Sequence, residues 1–245
     1  MPNSDYDKIG EGYTRFRRAD PRIAALISTS LGDAQSVINV GAGSGSYEPR
    51  GCEVLAIEPS DLMISQRPSD SAPCIRGMAE SLPVESKSFD AAMAILTIHH
   101  WNDWRKGLKE LCRVARRRIV ILTFEPEASK FWLADYFPSI GQEDRAIFPP
   151  LEAIRSAFGG AEVVPVPVPH DCADGFLGAY WRRPEAYLDP AVRQSISSFS
   201  KFDATEGLAR LTADLETGAW RKQNRQLLSL ESLDVGYRLV RSEIG

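Results

Sequence analysis

A glycine-rich turn in the first third of the chain has the composition of a ligand-binding loop. It contains three glycines spaced two residues apart: Gly41, Gly43 and Gly45. Because glycine lacks a Cβ, such a turn lets the backbone bend sharply and approach a ligand closely. A second apolar run, 54–57, ends in Glu58, and nucleotide-binding folds accept ribose hydroxyls with an acidic residue at this point. The two features predict a site for a nucleotide-like cofactor.

The histidines are the candidates for moving a proton. His99 and His100 follow the fourth predicted strand, at the carboxyl end where parallel sheets hold their ligands. An imidazole with its ordinary pKa of about 6.5 suits removal of a proton from a hydroxyl or an acidic carbon. His170 follows the sixth predicted strand and is a rival base, with Asp174 beside it. The alternative for each is a structural role, in which the side chain only satisfies backbone groups.

Short apolar strands alternate with amphipathic helices along the chain. Strands are predicted at 36–40, 53–57, 73–76, 89–96, 118–124, 163–168 and 234–240. Helices are predicted at 21–31, 104–115 and 151–158. This alternation predicts an α/β fold with a largely parallel sheet covered on both faces. Pro165 and Pro167 favour an edge position for the sixth strand, and Arg116–Arg118 is interpreted as the solvated end of a helix.

The glycine spacing alone leaves two classes of cofactor open. Dinucleotide-binding loops have the pattern G-x-G-x-x-G, in which the third glycine packs a long helix on the strand. Here the pattern is G-x-G-x-G, and Pro49 leaves little room for a regular helix before the second strand. The segment Ser46–Pro49 is therefore expected to form a tight turn.

Five sequence motifs decide between these two classes of cofactor, because they occur in a characteristic order and at characteristic spacings along the chain. They are Val40–Gly45, Ile57–Ser60 with Met63, Gly77–Pro83, Ser88–Asp90 and Ile98–Trp101. With them the chain resembles the class I S-adenosylmethionine-dependent methyltransferases of the type 11 group, which includes the menaquinone and ubiquinone C-methyltransferases. The resemblance covers about residues 36–124 and implies a Rossmann-like sheet of seven mostly parallel strands. It also implies S-adenosyl-L-methionine as the cofactor and S-adenosyl-L-homocysteine as its product.

The resemblance also assigns roles to individual residues. Glu58 would accept the ribose hydroxyls, Met63 would pack on the adenine, and Ile98 would lie near the sulfonium. Tyr13 and Arg17 would belong to an N-terminal segment that closes over the cofactor. The residues assigned to the cofactor are Tyr13, Arg17, Gly41, Ala42, Gly43, Gly45, Glu58, Pro59, Met63, Ala79, Glu80 and Ile98. Asn39 departs from the family pattern, because an acidic residue often stands there.

Substrate recognition is expected outside the motifs. We expect one domain over 1–245, with 1–20 covering the cofactor and 170–226 forming a helical cap. Trp132, Tyr136, Trp181 and Arg182 are candidates for binding an aromatic or anionic acceptor. The alternative for the aromatic residues is that they belong to the core.

Composition limits the remaining possibilities. The 29 basic and 33 acidic residues give a formal net charge of −4 without a basic stripe, so no nucleic-acid partner is expected. No apolar run is long enough to span a bilayer, and four scattered cysteines make neither a zinc motif nor a disulfide framework. We therefore expect a cytoplasmic S-adenosylmethionine-dependent methyltransferase acting on a small molecule. The alternatives are a non-catalytic S-adenosylmethionine-binding protein and an NAD(P)-dependent oxidoreductase. The acceptor atom and the oligomeric state are not predicted.

Overall fold

The computed structural model describes residues 16–129 and 131–244. Its centre is a seven-stranded sheet with the order β3-β2-β1-β4-β5-β9-β6. The strands are β1 (Ser36–Val40), β2 (Glu53–Glu58), β3 (Cys74–Arg76), β4 (Phe89–Ile95), β5 (Ala115–Phe124), β6 (Glu162–Pro165), β7 (Val168–Pro169), β8 (Ser232–Leu233) and β9 (Tyr237–Glu243). Strands β1 to β5 run parallel, and β9 lies antiparallel between β5 and β6. The predicted fold class is confirmed.

Both faces of the sheet are covered, because successive side chains of a strand point to opposite faces. Val37 packs in one apolar cluster with Ile23 and Ile27, and its neighbour Ile38 packs in another with Leu108. The helices are α1 (Pro21–Leu31), α2 (Asp61–Ser65), α3 (Trp104–Val114), α4 (Leu133–Tyr136), α5 (Ser139–Ile147), α6 (Leu151–Ala157), α7 (Pro190–Gln194), α8 (Thr205–Glu216) and α9 (Ala219–Gln223).

Helix α1 begins and ends as its sequence predicts. The side chain of Asp20 accepts a hydrogen bond from the backbone N–H of Arg22, and Pro21 occupies the first turn. Gly32 ends the helix with φ of 61°, a conformation that glycine adopts without a steric penalty. The Asp20 carboxylate also accepts from Ala173 N–H, which ties the start of the helix to the distant 170s.

The interpretation of the arginine triplet is wrong. Helix α3 ends at Val114 and β5 begins at Ala115, so Arg116–Arg118 lies within a strand. The guanidinium groups of Arg117 and Arg118 pair with Asp33, at 3.1 and 2.6 Å. These charges are therefore held by ion pairs beside a strand and do not complement the end of a helix.

The chain departs from regular strand–helix alternation at two connections. The predicted sixth strand divides into β6, which is an edge strand beside β9, and β7, which pairs with β8. Between β1 and β2, within the described chain, no helix forms, and the expected tight turn at Ser46–Pro49 is confirmed. Short helices occupy much of 170–226. None of the helices in the two described ranges is long and apolar enough to cross a membrane.

Candidate active site

A cavity of about 980 Å³ opens where β1, β2 and β4 end. Parallel pairing places the carboxyl ends of these strands at one edge of the sheet, where α/β proteins hold ligands. Most of the residues that the sequence assigns to the cofactor line this cavity, which we call the first cavity. They are Arg17, Gly41, Ala42, Gly43, Glu58, Pro59, Met63, Ala79 and Glu80.

The glycine loop forms the floor of the first cavity. Gly41 has φ of 70°, and a Cβ there would lie 2.0 Å from Thr97 Oγ1, so the close packing requires glycine. The backbone N–H groups of Gly41 and Ala42 both donate to the carbonyl of Ile57, at 2.8 and 3.1 Å. These bonds fix the loop against the end of β2.

Glu58 is held as an acceptor at the end of β2. Its two carboxylate oxygens accept from the N–H groups of Gly43 and Ser60, at 2.8 and 3.0 Å, and the residue is buried. Burial raises its pKa, while the two backbone hydrogen bonds and Arg67 act in the opposite direction. A carboxylate has about four lone-pair positions, so acceptor capacity remains for two hydroxyl groups. The glycine floor and this acceptor fit the ribose and amino-acid parts of a nucleoside cofactor.

A buried ion pair holds the glycine loop where a first helix is missing. Arg67 Nη2 lies 2.6 Å from Glu48 Oε1, and Arg67 Nη1 donates to the Gly43 carbonyl at 3.2 Å. Glu48 also accepts from Ala72 N–H and, at 3.4 Å, from the Asn39 amide. We call Glu48 and Arg67 the loop clamp. Asn39, which departs from the family pattern, is thus turned towards the clamp.

A second cavity of about 560 Å³ adjoins the first. Arg17, Leu96 and His100 line both cavities. The remaining wall of the second cavity is largely aromatic and includes Phe124, Phe148, Phe176 and Tyr237. The arrangement provides a compartment for a second molecule next to the first cavity.

Of the two adjacent histidines, His100 lies at the junction of the cavities and His99 lines the second cavity only. Their ring centroids are 3.8 Å apart, and the His99 ring stacks on Phe148 at 4.2 Å. The Nδ1 atom of His99 is buried and has no hydrogen-bond partner among the described residues. Burial lowers the pKa of His99 well below its ordinary value and that of His100 to about 3, with Lys201 and Arg17 adding to the effect. Both imidazoles are therefore neutral at physiological pH.

Arg17 joins the start of the described chain to the 170s. Its Nε donates to Asp174 Oδ1 at 2.7 Å, and the other Asp174 oxygen accepts from the Tyr47 hydroxyl at 3.0 Å. Asp174 is almost fully buried. Because both of its oxygens are engaged in this network, Asp174 acts as an anchor for Arg17 in the structure.

The segment after β4 contributes residues that sequence reasoning missed. Leu96 has φ of 52°, an uncommon conformation for a branched side chain, and lies between the two cavities. Ile98 is fully buried in the core, because a 3₁₀ turn begins there, and Leu96 and Thr97 line the first cavity instead. The only sequence signal for Leu96 and Thr97 was their position immediately after β4.

Several candidates lie away from both cavities. Gly45 faces the outer groove beside α1, and His170 lies 3.5 Å from Glu231 at the β7–β8 pair. Trp132 Nε1 donates to the Trp181 carbonyl, and both indoles are buried. Tyr136 and Arg182 likewise lie outside the lining of both cavities. Tyr136 donates to Asp214, and the Arg182 guanidinium binds the carbonyls of Leu228 and Leu230. Tyr13 lies outside the described residues.

The sheet order, the glycine floor and the buried acidic residue at the end of β2 define a Rossmann-like protein that binds a nucleoside cofactor. A family model described as "Methyltransferase domain" matches residues 38–122. A crystal structure described as a putative methyltransferase from an antibiotic biosynthesis pathway of Anabaena variabilis ATCC 29413 is 35% identical. It superposes with a TM-score of 0.86 and covers 94% of this chain and 99% of that chain. The chain belongs to the S-adenosylmethionine-dependent methyltransferase family, and S-adenosylmethionine is the cofactor that this family binds.

More distant relatives match in part. A rice (Oryza sativa subsp. japonica) 2-methyl-6-phytyl-1,4-hydroquinone methyltransferase is 28% identical over 111 residues, which is 41% of this chain. The match covers only 32% of that curated relative's length. The geranyl diphosphate C-methyltransferase of Streptomyces coelicolor A3(2) is 14% identical, with a TM-score of 0.51 and coverage of 90% of this chain and 74% of that chain. This last similarity shows the fold alone.

Proposed function

We propose that the protein transfers the methyl group of S-adenosylmethionine to a small-molecule acceptor bound in the second cavity. The observation that carries the proposal is the shared wall of Arg17, Leu96 and His100. It places a compartment with aromatic walls directly beside the cofactor cavity. The cofactor supplies an activated methyl group on a sulfonium, which an acceptor atom displaces in line.

The residues of the chain would contribute mainly by alignment and by exclusion of water. Holding two reactants in line is worth effective molarities of about 10⁵ M or more in favourable cases. Glu58 and the glycine floor would fix one reactant, and the aromatic walls would fix the other. Of the three candidate bases, His100 is at the junction and His99 lines the second cavity, while His170 lines neither cavity. One of these two histidines would take up the proton that leaves the acceptor, in reactions where methylation releases a proton.

The relatives support a small acceptor. The names of the rice and Streptomyces relatives describe a hydroquinone and a geranyl diphosphate as the molecules they methylate. The chain's acidic balance argues against a nucleic-acid acceptor. The four cysteines are free thiols, which suits a reducing compartment such as the cytoplasm.

We propose that the chain forms one domain with a helical cap. Phe176, Leu177, Ile196 and Ser198 come from the 170–226 segment and line the second cavity. This segment would therefore close over the acceptor, and Arg17 of the N-terminal segment would face both reactants. Trp132, Tyr136, Trp181 and Arg182 would support the cap from behind rather than contact the acceptor.

The test is turnover with methyl-labelled S-adenosylmethionine and a pool of small-molecule acceptors. We expect formation of S-adenosylhomocysteine together with a labelled product that requires the acceptor pool. Tight binding of S-adenosylhomocysteine without turnover on any pool would favour the alternative of a non-catalytic binding protein. Failure of the folded protein to bind S-adenosylhomocysteine would overturn both the proposed methyl transfer and the alternative of a non-catalytic binding protein.

A further inference from the structure

The second cavity has an acidic wall that the proposed transfer does not use. Asp144 of α5 lines this cavity and is only 1% exposed. Together with Phe124 and Leu177 it also lines a third cavity, of about 730 Å³. The wall shared with the cofactor cavity consists of other residues. Asp144 therefore belongs to a part of the second cavity's wall that the cofactor cavity does not share.

The hydrogen-bonding capacity of Asp144 is only partly used. Ser198 Oγ donates to Asp144 Oδ1 at 2.9 Å, and within the described chain no second side chain donates to this carboxyl group. Burial raises its pKa to about 6, against the effects of Ser198 and Lys201. At neutral pH the group is mainly a carboxylate. A buried carboxylate with one hydrogen bond is unfavourable until further donors reach it.

Aromatic rings surround the space in front of this carboxylate. The Phe124 and Phe148 centroids are 5.3 Å apart in an edge-on arrangement, and those of Phe176 and Tyr237 are 4.4 Å apart. Rings so placed offer faces and edges to a flat aromatic molecule. Such a molecule would fill the cavity that the two histidines and Asp144 line together.

We propose that Asp144, held by Ser198, selects aromatic acceptors that carry a hydroxyl or amino group remote from the atom that is methylated. That group donates a hydrogen bond to Asp144 while the reacting position faces His100 and the cofactor cavity. An acceptor without the remote donor leaves the buried carboxylate unpaired, and one with a remote carboxylate is repelled by it. Sites built around a buried polar group discriminate strongly against ligands that lack its partner. This inference rests on the proposed function.

The experiment compares two ligands on the protein saturated with S-adenosylhomocysteine. Hydroquinone and 1,4-dimethoxybenzene share the ring and the two oxygens, but only hydroquinone can donate a hydrogen bond to Asp144, whichever way round the ligand binds. Affinities are measured by calorimetry or ligand-observed NMR under reducing conditions. We expect hydroquinone to bind about tenfold or more tightly, the range for a hydrogen bond to a charged group. A parallel titration with 4-aminophenol shows whether a hydroxyl or an amino donor is preferred.

The variants Asp144→Asn and Asp144→Leu assign the preference to this residue. Asparagine keeps one acceptor oxygen, so we expect a reduced preference for hydroquinone, and leucine keeps none, so we expect most of the preference to be lost. Glu143→Gln is the matched control, since it removes the neighbouring charge on the same helix and should leave the preference unchanged. Affinity for S-adenosylhomocysteine verifies that each variant is folded, because Asp144 does not line the cofactor cavity.

Two results would overturn the inference. One is a wild-type protein that binds S-adenosylhomocysteine but binds neither ligand or does not distinguish them. The other is retention of the full preference by Asp144→Leu. In both cases the proposed function stands, because the cofactor still binds. Loss of S-adenosylhomocysteine binding by the wild-type protein would instead remove the proposed function and this inference together.

Discussion

The adjacent histidines that line the second cavity, His99 and His100, are candidate bases that stay neutral at unusually low pH. Their lowered pKa values mean that neither gains a proton as the pH falls from 8 to about 6. With a saturating acceptor we therefore expect kcat to stay flat over this range. A decline in kcat centred near pH 6.5 that disappears in His100→Gln would contradict this.

Replacement of His100 tests its role directly. If the acceptor proton must leave, His100→Gln should lower kcat by about 10² to 10⁴, the usual range for a general base. Affinity for S-adenosylhomocysteine should change little. His170→Gln is the control, because its ring faces Glu231 and not the cavities, and it should leave kcat unchanged. Equal kcat in wild type and both His99→Gln and His100→Gln would exclude the pair as bases.

Asp144 should also reduce the stability of the ligand-free protein at neutral pH. Its pKa of about 6 in the folded state exceeds the ordinary 3.8, so the folded state binds more protons between these values. Stability contributed by this group therefore falls as the pH rises through that window. Asp144→Asn should raise the free energy of unfolding at pH 7.5 by at most about 3 kcal/mol, with the gain shrinking towards pH 4. Denaturant unfolding at both pH values checks this, and a gain independent of pH would contradict it.

At this scale the sequence predicted the residues that line the first cavity better than those that line the second. Gly41 and Glu58 could be found because loop spacing and the end of a strand fix where such residues lie. Asp144 could not, because it comes from a helix outside the motifs and only tertiary packing brings it to the aromatic rings. Trp181 was a candidate for binding the acceptor, but it is buried and lines neither cavity. An aromatic side chain beside arginines is equally typical of a buried core.

At the scale of elements, the loop clamp replaces a helix as the support of the glycine turn. Glu48 and Arg67 have side chains only 9% and 5% exposed. Removal of one partner of such a pair leaves an uncompensated buried charge, which costs about 3–5 kcal/mol. Arg67→Met should therefore destabilise the protein and weaken S-adenosylhomocysteine binding, because Arg67 also holds the Gly43 carbonyl.

A surface pair provides the comparison for this variant. Arg241 pairs with Glu162 at 2.7 Å, but both side chains are substantially exposed. Arg241→Met should change the free energy of unfolding by about 1 kcal/mol or less and leave cofactor affinity unaffected. Arg67→Lys should recover part of the affinity. Normal S-adenosylhomocysteine affinity in stably folded Arg67→Met would show that the clamp does not position the loop.

The sequence predicted the turn at Ser46–Pro49 but not the clamp that supports it. Pro49 made a helix there unfavourable, which was a local signal. The pairing of Glu48 with Arg67 depends on how α2 packs beside β2 and β3, and neither residue has a distinctive spacing. The predicted sixth strand failed for a similar reason, since its division depends on the partners β8 and β9.

At the scale of the whole molecule, an aromatic cluster joins the segment after β5 to the 170–226 region. The Trp132 ring lies edge-on to Tyr136, Tyr187 and Trp220, with centroids 5.8, 5.6 and 5.3 Å away. Trp132→Ala should destabilise the protein by about 3–5 kcal/mol and leave S-adenosylhomocysteine affinity within a few-fold. Denaturant unfolding measures the loss of stability, and calorimetry measures the affinity for S-adenosylhomocysteine. Unchanged stability with weakened acceptor binding would instead favour a direct role for Trp132 in the site.

The architecture was the most predictable feature of the molecule. Near-continuous apolar strands such as β1 and β4 can be buried only in a sheet covered on both faces, and this fixed the class. The resemblance carried by the motifs implied seven mostly parallel strands. The packing of the 170–226 region could not be predicted, because its helices lack the strong periodicity of α3.

The central claim is that Glu58 and the glycine floor bind the nucleoside cofactor of a methyltransferase. Calorimetric titration with S-adenosylhomocysteine of the wild type, Glu58→Ala and Glu53→Ala tests it most directly, since Glu53 lies exposed at the opposite end of β2. We expect the wild type and Glu53→Ala to bind equally, and Glu58→Ala to bind about 100-fold or more weakly through loss of two hydrogen bonds to a charged group. No binding by the folded wild-type protein, or equal binding by Glu58→Ala, would contradict the claim.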